Sequence, residues 1–249
     1  MKTVEFGKQN NDVIMLLHGG GLSWWNYKAE AELLKDQYHV VLPILDGHAG
    51  SDNDFISIEE NASRLISFID KEFGGSVLLI GGLSLGAQIL VEMLTQQNTI
   101  CQNAVIESAS IIPSKLTNAL IKPMFSLSYG LVKMKCFAQM QFDYLHIRKD
   151  LFEDYYRDTS QISKENMIAF LEANTSYEIK PGLQNAHTKV RILVGEKEQK
   201  KMICSAEQLH KALPGSVLEI KKGLYHGEYS INYPEEYTKE LLDMIATYL

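Results

Sequence analysis

A serine with a glycine two positions before it and another two positions after it is a candidate for an activated nucleophile. Ser84 is at the centre of the pattern GLSLG, directly after the apolar run 77–80 and directly before a helical pattern. A sharp turn from a strand into a helix exposes a serine hydroxyl, and the flanking glycines let the two elements approach closely. The helix N-terminus would add positive potential that favours a developing oxyanion. By itself, the pattern is equally compatible with a glycine-rich turn that carries an incidental serine.

A glycine-rich loop near the N-terminus offers hydrogen-bond donors for the same reaction. His18 and three glycines, residues 19–21, follow the apolar run 13–17. Backbone N–H groups in such a loop can point at a developing negative charge, and the lack of side chains lets a substrate approach. We predict that the N–H groups of Gly20 and Leu85 form an oxyanion hole and that His18 is structural. A flexible turn is the alternative, and a phosphate loop is disfavoured because no Gly-Lys-Ser or Gly-Lys-Thr follows.

One of the seven histidines is well placed to act as the base. His226 lies between Gly223 and Gly227, in a loop that follows the apolar run 217–220 and precedes the last helical pattern. A histidine in such a loop is free to reach a neighbouring strand end and take a proton from a serine. We therefore predict that His226 is the base. The others are interpreted as surface or core residues: His18, His39, His48, His146, His187 and His210.

A carboxylate near the end of another apolar run could complete the site. Glu196 and Glu198 both follow the run 192–194. A carboxylate at the end of a strand can orient an imidazole and stabilise its protonated form. The residues alone leave both glutamates open as the acid.

Apolar runs that alternate with helical patterns are the elements that would hold these residues. The runs are bounded by Gly, Asp, Asn or Pro, and continuous apolar runs are typical of strands covered on both faces, as in a parallel sheet. Strands that alternate with helices form βαβ units, so we predict an α/β fold with a mostly parallel central sheet flanked by helices. The predicted strands are residues 13–17, 40–45, 77–80, 104–106, 192–194 and 217–220.

Apolar residues three and four positions apart between these runs predict helices with one buried face. The first helix is predicted to begin after Ser57 as N-cap, with Glu60 three residues later completing a capping box. The predicted buried stripes are Ile58, Ala62, Leu65, Ile66 and Ile69; Ile89, Leu90, Met93 and Leu94; and, after Pro234, Leu241, Leu242, Ile245 and Tyr248.

One region, from about Pro113 to Pro181, has helical patterns but no convincing strand. We predict an α/β core of residues 1–112 and 182–249, with residues 113–181 inserted as helices over the sheet edge. Apolar side chains crowd the first half of this insertion. They could line an acyl pocket, but we expect most of them to pack inward as the insertion's own core. They are Met124, Phe125, Leu127, Tyr129, Leu131, Val132, Met134, Phe137, Met140, Phe142 and Tyr144.

The order serine, acid, histidine, with a glycine loop upstream, resembles the α/β-hydrolase superfamily over nearly the whole chain. The HGGG segment resembles the family's oxyanion loop, and LDGHAGS at residues 45–51 resembles its turn after the fourth strand. GLSLG resembles the nucleophile elbow, and residues 223–227 resemble the histidine loop. Residues 113–181 lie where the family usually carries a helical cap.

The resemblance also ranks the acids. The family often has an aspartate in the pattern GxxD, where this chain has Gly195 followed three residues later by Glu198. The resemblance therefore implies Glu198 as the acid, with Glu196 next. Glu107 is a third option, because some members place the acid after the preceding strand.

By this resemblance, the protein is expected to be a serine hydrolase that cleaves a carboxylic ester of a small, modestly apolar substrate through an acyl-enzyme. No metal or organic cofactor is expected. Thioesterases, amidases, peptidases and some lyases use the same triad, so they remain alternatives. A ligand-binding protein without catalysis is the alternative from another class.

The charge balance argues against two classes of partner. The chain has 249 residues, a formal net charge of −7 and a pI near 5.5. Nucleic acid and an anionic membrane surface are therefore not expected as partners. The N-terminal residues do not resemble a signal peptide, and no apolar run approaches the ~20 residues of a membrane span. Three cysteines without a CxxC pair predict reduced thiols in a cytoplasmic protein.

Overall fold

A seven-stranded sheet lies at the centre of the computed structural model, which describes residues 1–246. The strands are β1 (Thr3–Phe6), β2 (Val13–Leu17), β3 (His39–Pro43), β4 (Val77–Leu83), β5 (Cys101–Glu107), β6 (Lys189–Gly195) and β7 (Val217–Lys221). They lie in the order β1-β3-β2-β4-β5-β6-β7. Every neighbouring pair is parallel except β1 and β3, which are antiparallel. The predicted α/β class with a mostly parallel sheet is therefore confirmed.

All six predicted runs lie in this sheet, with some differences at their ends. β2 has the predicted bounds, whereas β4, β5 and β6 are longer than predicted. β3 ends at Pro43, two residues before the predicted end, although the next N–H, of Ile44, still donates to the Lys2 carbonyl at 2.9 Å. The sequence does not predict β1, because a half-buried edge strand of four residues contains no continuous apolar run.

Ten α-helices accompany the sheet within residues 1–246, and none of them is long and apolar enough to cross a membrane. They are α1 (Lys28–Leu34), α2 (Ile58–Phe73), α3 (Leu85–Gln96), α4 (Lys115–Val132), α5 (Lys135–Tyr144), α6 (Phe152–Thr159), α7 (Lys164–Ser176), α8 (Lys200–Ala212), α9 (Glu228–Asn232) and α10 (Pro234–Ala246).

Helix α2 begins where the sequence predicts. Ser57 Oγ accepts a hydrogen bond from the Glu60 N–H at 3.1 Å. The second half of the predicted capping box is absent, because the Glu60 carboxylate instead accepts from Arg64 Nε at 3.0 Å. In α10, Leu241 is buried as predicted, and Tyr248 lies outside the described residues.

Alternate residues of β2 face two hydrophobic cores, one on each side of the sheet. Met15 and Leu17 pack in a core with residues of α2, α3 and α8. Ile14 and Leu16 pack in a second core with residues of α1 and α10. Because successive side chains of a strand point to opposite faces, this continuous apolar run serves both cores. The sheet is thereby fixed between two helical layers, and its carboxyl edge holds the residues described below.

Residues 113–181 contain four α-helices, α4 to α7, a short 3-10 helix at Lys149–Leu151, and no strand. The expectation that most of their crowded apolar side chains pack inward is wrong, because six of the eleven are exposed. Helix α4 packs against α7 on one side, where Ile121 and Val132 are buried. Its other side carries large exposed side chains. The six exposed side chains are Met124, Leu127, Leu131, Met134, Met140 and Tyr144.

Candidate active site

Ser84 occupies a strained turn between β4 and α3. Its backbone has φ 53° and ψ −110°, in the left-handed region that non-glycine residues rarely adopt. A Cβ atom on Gly82 would lie 2.6 Å from the Gly86 carbonyl oxygen, and one on Gly86 would lie 2.2 Å from that of Leu17. Both glycines are therefore required by close backbone packing, and the turn lifts the serine hydroxyl off the sheet edge.

The loop after β7 brings His226 against the same turn. Gly227 has φ 68°, and a Cβ atom there would lie 2.9 Å from a methyl carbon of Leu83, the last residue of β4. At the end of β6, a Cβ atom on Gly195 would lie 2.4 Å from the Leu224 carbonyl oxygen. Small residues on both sides thus allow the histidine loop to lie between the serine turn and the end of β6.

Ser84, His226 and Glu198 form one chain of hydrogen bonds. His226 Nε2 lies 3.0 Å from Ser84 Oγ, and His226 Nδ1 lies 2.7 Å from Glu198 Oε2. The Glu198 carboxylate is buried, whereas the His226 side chain is 42% exposed. An ionised carboxylate only accepts hydrogen bonds, so Nδ1 donates to Glu198 and Nε2 accepts from the serine hydroxyl. This order of donors and acceptors is the one needed to remove a proton from Ser84.

The other acids left open by the sequence do not contact this histidine. Glu196 is exposed, and its Oε2 accepts from the Gly223 N–H at 2.8 Å. Glu107 is buried at the end of β5, and its Oε1 accepts from the Ser230 N–H at 3.3 Å. Of the three glutamates, only Glu198 bonds to the imidazole.

Glu198 and His226 shift each other's pKa. Burial alone would raise the pKa of the Glu198 carboxyl, but the hydrogen bond and charge of His226, with further hydrogen bonds, hold that pKa below its ordinary value. Removal from water would lower the pKa of His226, but Glu198, with Glu107 contributing less, raises it above its ordinary value. Glu198 therefore stays charged at neutral pH and stabilises the imidazolium that forms when His226 takes a proton.

Ser108 is a polar contact of the site that sequence reasoning missed. Its Oγ donates to Glu198 Oε1 at 2.6 Å, and the Gly195 N–H donates to the same oxygen at 2.8 Å. Ser108 follows β5 directly and has φ 55°, so its backbone is also strained. Its position after the strand next to β6 was the available signal, because parallel strands carry their carboxyl ends to one edge.

The glycine loop lies beside the serine turn. A Cβ atom on Gly20 would lie 3.5 Å from the Leu85 Cβ, so the two predicted oxyanion residues are neighbours. Within residues 1–246, neither the Gly20 N–H nor the Leu85 N–H donates a hydrogen bond. Leu85 is also the first residue of α3, where backbone N–H groups have no intrahelical partner. Both donors are thus available to an anionic oxygen bound at Ser84.

Two buried histidines hold the glycine loop in place. The imidazole of His18 accepts from the Leu45 N–H at 3.2 Å, and that of His48 accepts from the Gly21 N–H at 3.0 Å. Burial lowers the pKa of His18 to about 3 and that of His48 to about 4. Both are therefore neutral, as an accepting ring nitrogen requires. Neither lies in the hydrogen-bond chain of Ser84, in keeping with the structural roles predicted for them.

The inserted helices also contact the glycine loop. Thr159 Oγ1, at the end of α6, donates to the Gly21 carbonyl at 2.9 Å. Phe170 of α7 stacks on His48 with 4.9 Å between ring centroids. On the other side of the site, His146 stacks on Tyr225 of the histidine loop, with 3.9 Å between ring centroids. Residues 113–181 are thus tied to both loops that border Ser84.

Two cavities adjoin the hydrogen-bond chain. The smaller, of about 210 Å³, contains Ser84 and His226 and is walled mainly by apolar side chains; these include Leu22, Leu145, Ile147 and Ile231. The larger, of about 390 Å³, begins at His226 on the Glu198 side; its lining includes Tyr144, Leu145, His146, Lys197, Gln199, Met202 and Tyr225. His226 and Leu145 border both cavities. Among the described residues, no cluster of three His, Cys, Asp or Glu side chains has the geometry of a metal site.

A second group of polar side chains is buried behind the histidine loop. We call it the buried cluster; its members are Tyr27, Glu30, Glu107, Ser230 and Tyr237. Within residues 1–246, one carboxylate oxygen of Glu30, one of Glu107 and both tyrosine hydroxyls have no hydrogen-bond partner. Burial raises the pKa of Glu107 to about 7 and that of Glu30 to about 8. At pH 7, Glu30 is therefore mostly protonated and Glu107 about half protonated.

Comparison with known proteins gives a consistent family and fold. A model of the alpha/beta hydrolase family matches residues 14–226. No curated protein matches significantly. Similar solved structures include a thermophilic esterase from Thermogutta terrifontis, with a TM-score of 0.81, 15% identity, and coverage of 99% of this chain and 93% of that one. An enol-lactonase from Burkholderia xenovorans has a TM-score of 0.82 and 14% identity, with coverage of 98% of this chain and 96% of that one. An esterase from Exiguobacterium antarcticum has a TM-score of 0.81 and 16% identity, with coverage of 98% of this chain and 94% of that one.

Proposed function

The chain belongs to the alpha/beta hydrolase family, and on that basis we propose that it is a serine hydrolase that cleaves a small carboxylic ester through an acyl-enzyme. The observation that carries the proposal is the hydrogen-bond chain from Ser84 through His226 to Glu198, with distances of 3.0 Å and 2.7 Å. The esterases among the similar structures have low sequence identity and support the fold rather than the substrate.

In the first half of the proposed reaction, Ser84 Oγ attacks the ester carbonyl carbon while His226 Nε2 takes the hydroxyl proton. Glu198 holds the imidazole with Nδ1–H towards the carboxylate and stabilises the imidazolium. The carbonyl oxygen becomes an oxyanion that accepts from the N–H groups of Gly20 and Leu85. Each such donor is typically worth about 3 kcal/mol of barrier.

Collapse of the tetrahedral intermediate breaks the bond to the leaving alkoxide. His226 returns its proton to that oxygen, and the alcohol departs from an acyl-enzyme on Ser84. A water then attacks the acyl carbon while His226 takes its proton. The second tetrahedral intermediate then collapses, the bond from its carbon to Ser84 Oγ breaks, and His226 returns the proton to that oxygen, which releases the acid and restores Ser84. Every step uses residues of this chain, and we propose no resident cofactor.

The cavities support a division of the substrate between two sides of His226. The leaving oxygen must lie next to His226 Nε2, which faces Ser84, to receive its proton. His226 borders both cavities, so we assign the rest of the alcohol to the larger cavity next to it. The acyl group would then occupy the smaller, apolar cavity over Ser84. Its volume of about 210 Å³ favours a short acyl chain. We also propose that residues 113–181 act as a cap over both cavities and that the protein works in the cytoplasm.

Turnover of a substrate panel tests this proposal. We expect nitrophenyl acetate and butyrate to be hydrolysed faster than the octanoate, the matching thioester or the anilide. Ser84→Ala should remove this activity, whereas Ser67→Ala, on the surface of α2, should leave it unchanged. Faster turnover of the thioester or anilide would reassign the reaction within the family. No turnover of any substrate would favour a ligand-binding protein, and activity retained by Ser84→Ala would exclude the proposed nucleophile.

A further inference from the structure

The solvent side of α4 is an apolar surface along the whole helix. Its large exposed residues are separated by three or four positions, which places them on one face. We call this surface the α4 face, and it also includes the exposed Ala119, Pro123 and Gly130. Its large members and their exposed fractions are Leu116 (76%), Leu120 (48%), Met124 (59%), Leu127 (95%) and Leu131 (41%).

Exposed apolar residues continue from this helix into the next. Met134, in the connection to α5, is 48% exposed, and Met140 and Tyr144, one turn apart on α5, are 60% and 78% exposed. Tyr144 also lines the larger cavity beside His226. Soluble proteins rarely expose a contiguous apolar surface of this extent unless it binds something.

The charged residues of α4 and of its connection to α5 all have the same sign. Residues 115–135 contain four lysines and no aspartate or glutamate. Lys135 pairs with Glu153 at 2.7 Å. Among the described residues, Lys115, Lys122 and Lys133 have no carboxylate partner. This segment is therefore basic in a chain whose formal net charge is −7.

We propose that the α4 face docks on the surface of an anionic lipid bilayer. An amphipathic helix that carries leucine and methionine on one face and lysine at its rim is suited to the headgroup layer of such a bilayer. A second copy of this chain is a poorer occupant, because two α4 faces packed together would bring lysines against lysines. The net negative charge that led the sequence analysis to disfavour a membrane lies mostly elsewhere on the chain. Charges more than about 8 Å away are screened at physiological ionic strength.

Vesicle flotation tests the proposal without relying on any enzymatic activity. Wild type should float with vesicles of phosphatidylcholine containing phosphatidylglycerol, and much less with phosphatidylcholine alone. Added salt should weaken the binding, since lysines contribute to it. The double substitution Leu120→Gln and Leu127→Gln should lower the partition coefficient at least roughly tenfold. Ile56→Gln is the matched control, because Ile56 is 65% exposed and outside the α4 face.

The charge contribution is tested separately. Lys122→Gln and Lys133→Gln should each lower the partition coefficient roughly fivefold, whereas the exposed Lys211, on α8, should be replaceable without effect. Circular dichroism of each variant establishes that it is folded. Failure of wild type to bind anionic vesicles overturns the proposal. It is also overturned if ultracentrifugation finds a dimer that the double substitution at Leu120 and Leu127 converts to a monomer, because the occupant is then a second copy.

Discussion

Two buried glutamates at the same edge of the sheet differ in their hydrogen-bond donors. Glu198, after β6, accepts from His226, from Ser108 and from the Gly195 N–H. Glu107, at the end of the adjacent β5, accepts only from the Ser230 N–H among the described residues. The pKa of Glu198 is held below its ordinary value, whereas burial raises that of Glu107 to about 7.

The donors and the charge of His226 hold the pKa of Glu198 down, whereas deeper burial and the nearby charge of Glu198 raise that of Glu107. Both side chains are largely removed from water, which by itself favours the protonated form. Three donors offset that effect for Glu198, and one donor does not do so for Glu107. The region around Glu198 is therefore suited to stabilise an imidazolium, whereas the carboxyls of the buried cluster behind it are only partly ionised at neutral pH.

The largest expected effect is a difference in ester hydrolysis between variants of the two glutamates. Glu198→Gln should lower kcat/KM for ester hydrolysis roughly 10³-fold or more, because an amide offers no charge to the imidazolium. Glu107→Gln should change it by no more than a few fold, because Glu107 does not contact His226 and its carboxyl is already about half neutral at pH 7. Steady-state kinetics of both variants against wild type give the comparison.

The pH profile of the same variants sharpens this test. His226 must be neutral to act as the base, so kcat/KM in wild type should fall as the pH drops through its raised pKa. Glu198→Gln removes the main cause of that increase and should move this acidic limb to lower pH. A loss of similar size in Glu107→Gln, or an unchanged acidic limb in Glu198→Gln, contradicts the assignment of the acid.

The next effect concerns stability rather than rate. Glu30 and Glu107 have higher pKa values in the folded protein than the ordinary carboxyl value of 4.5, so the folded state binds more protons. The contribution of these two groups to the free energy of unfolding should therefore be greatest below about pH 4.5. It should be lost as the pH rises through about 7 and 8. Each group should contribute about 1.4 kcal/mol per pH unit between about pH 5.5 and pH 6.5.

Urea denaturation at several pH values measures this slope. Glu30→Gln should reduce the slope by the contribution of one proton, even if the substitution also changes the absolute stability. Glu59→Gln serves as a control, because Glu59 is about half exposed and Lys180 holds the pKa of its carboxyl below the ordinary value. An unchanged slope in Glu30→Gln would mean that Glu30 is charged in the folded protein.

The smallest effect is expected at Ser108, which we interpret as a positioning residue for Glu198. Ser108→Ala removes one donor and leaves the Gly195 N–H, so kcat/KM should fall about fivefold to tenfold, mainly through kcat. Ser108→Gly removes the same hydroxyl but relieves the positive φ of 55°. The two variants should therefore lose similar activity, while Ser108→Gly is the more stable. Full activity in Ser108→Ala would restrict this serine to a role in the backbone turn.

The sequence predicted the parts of this molecule that depend on local pattern. The bounds of β2 were predicted because its run is apolar throughout, and the Ser84 turn because glycines flank the serine. Ser108 was missed because its partner is distant in the chain. The exposure of α4 was predicted wrongly, since periodicity shows that residues share a face but not what covers that face.

The central claim is that Ser84 is the nucleophile activated through His226 and Glu198. Treatment with a fluorophosphonate probe, followed by peptide mass spectrometry, tests it most directly. We predict a single adduct on the peptide that contains Ser84, no adduct in Ser84→Ala, and much slower labelling in Glu198→Gln than in Glu107→Gln. An adduct on another residue, or wild type that remains unlabelled, would contradict the account.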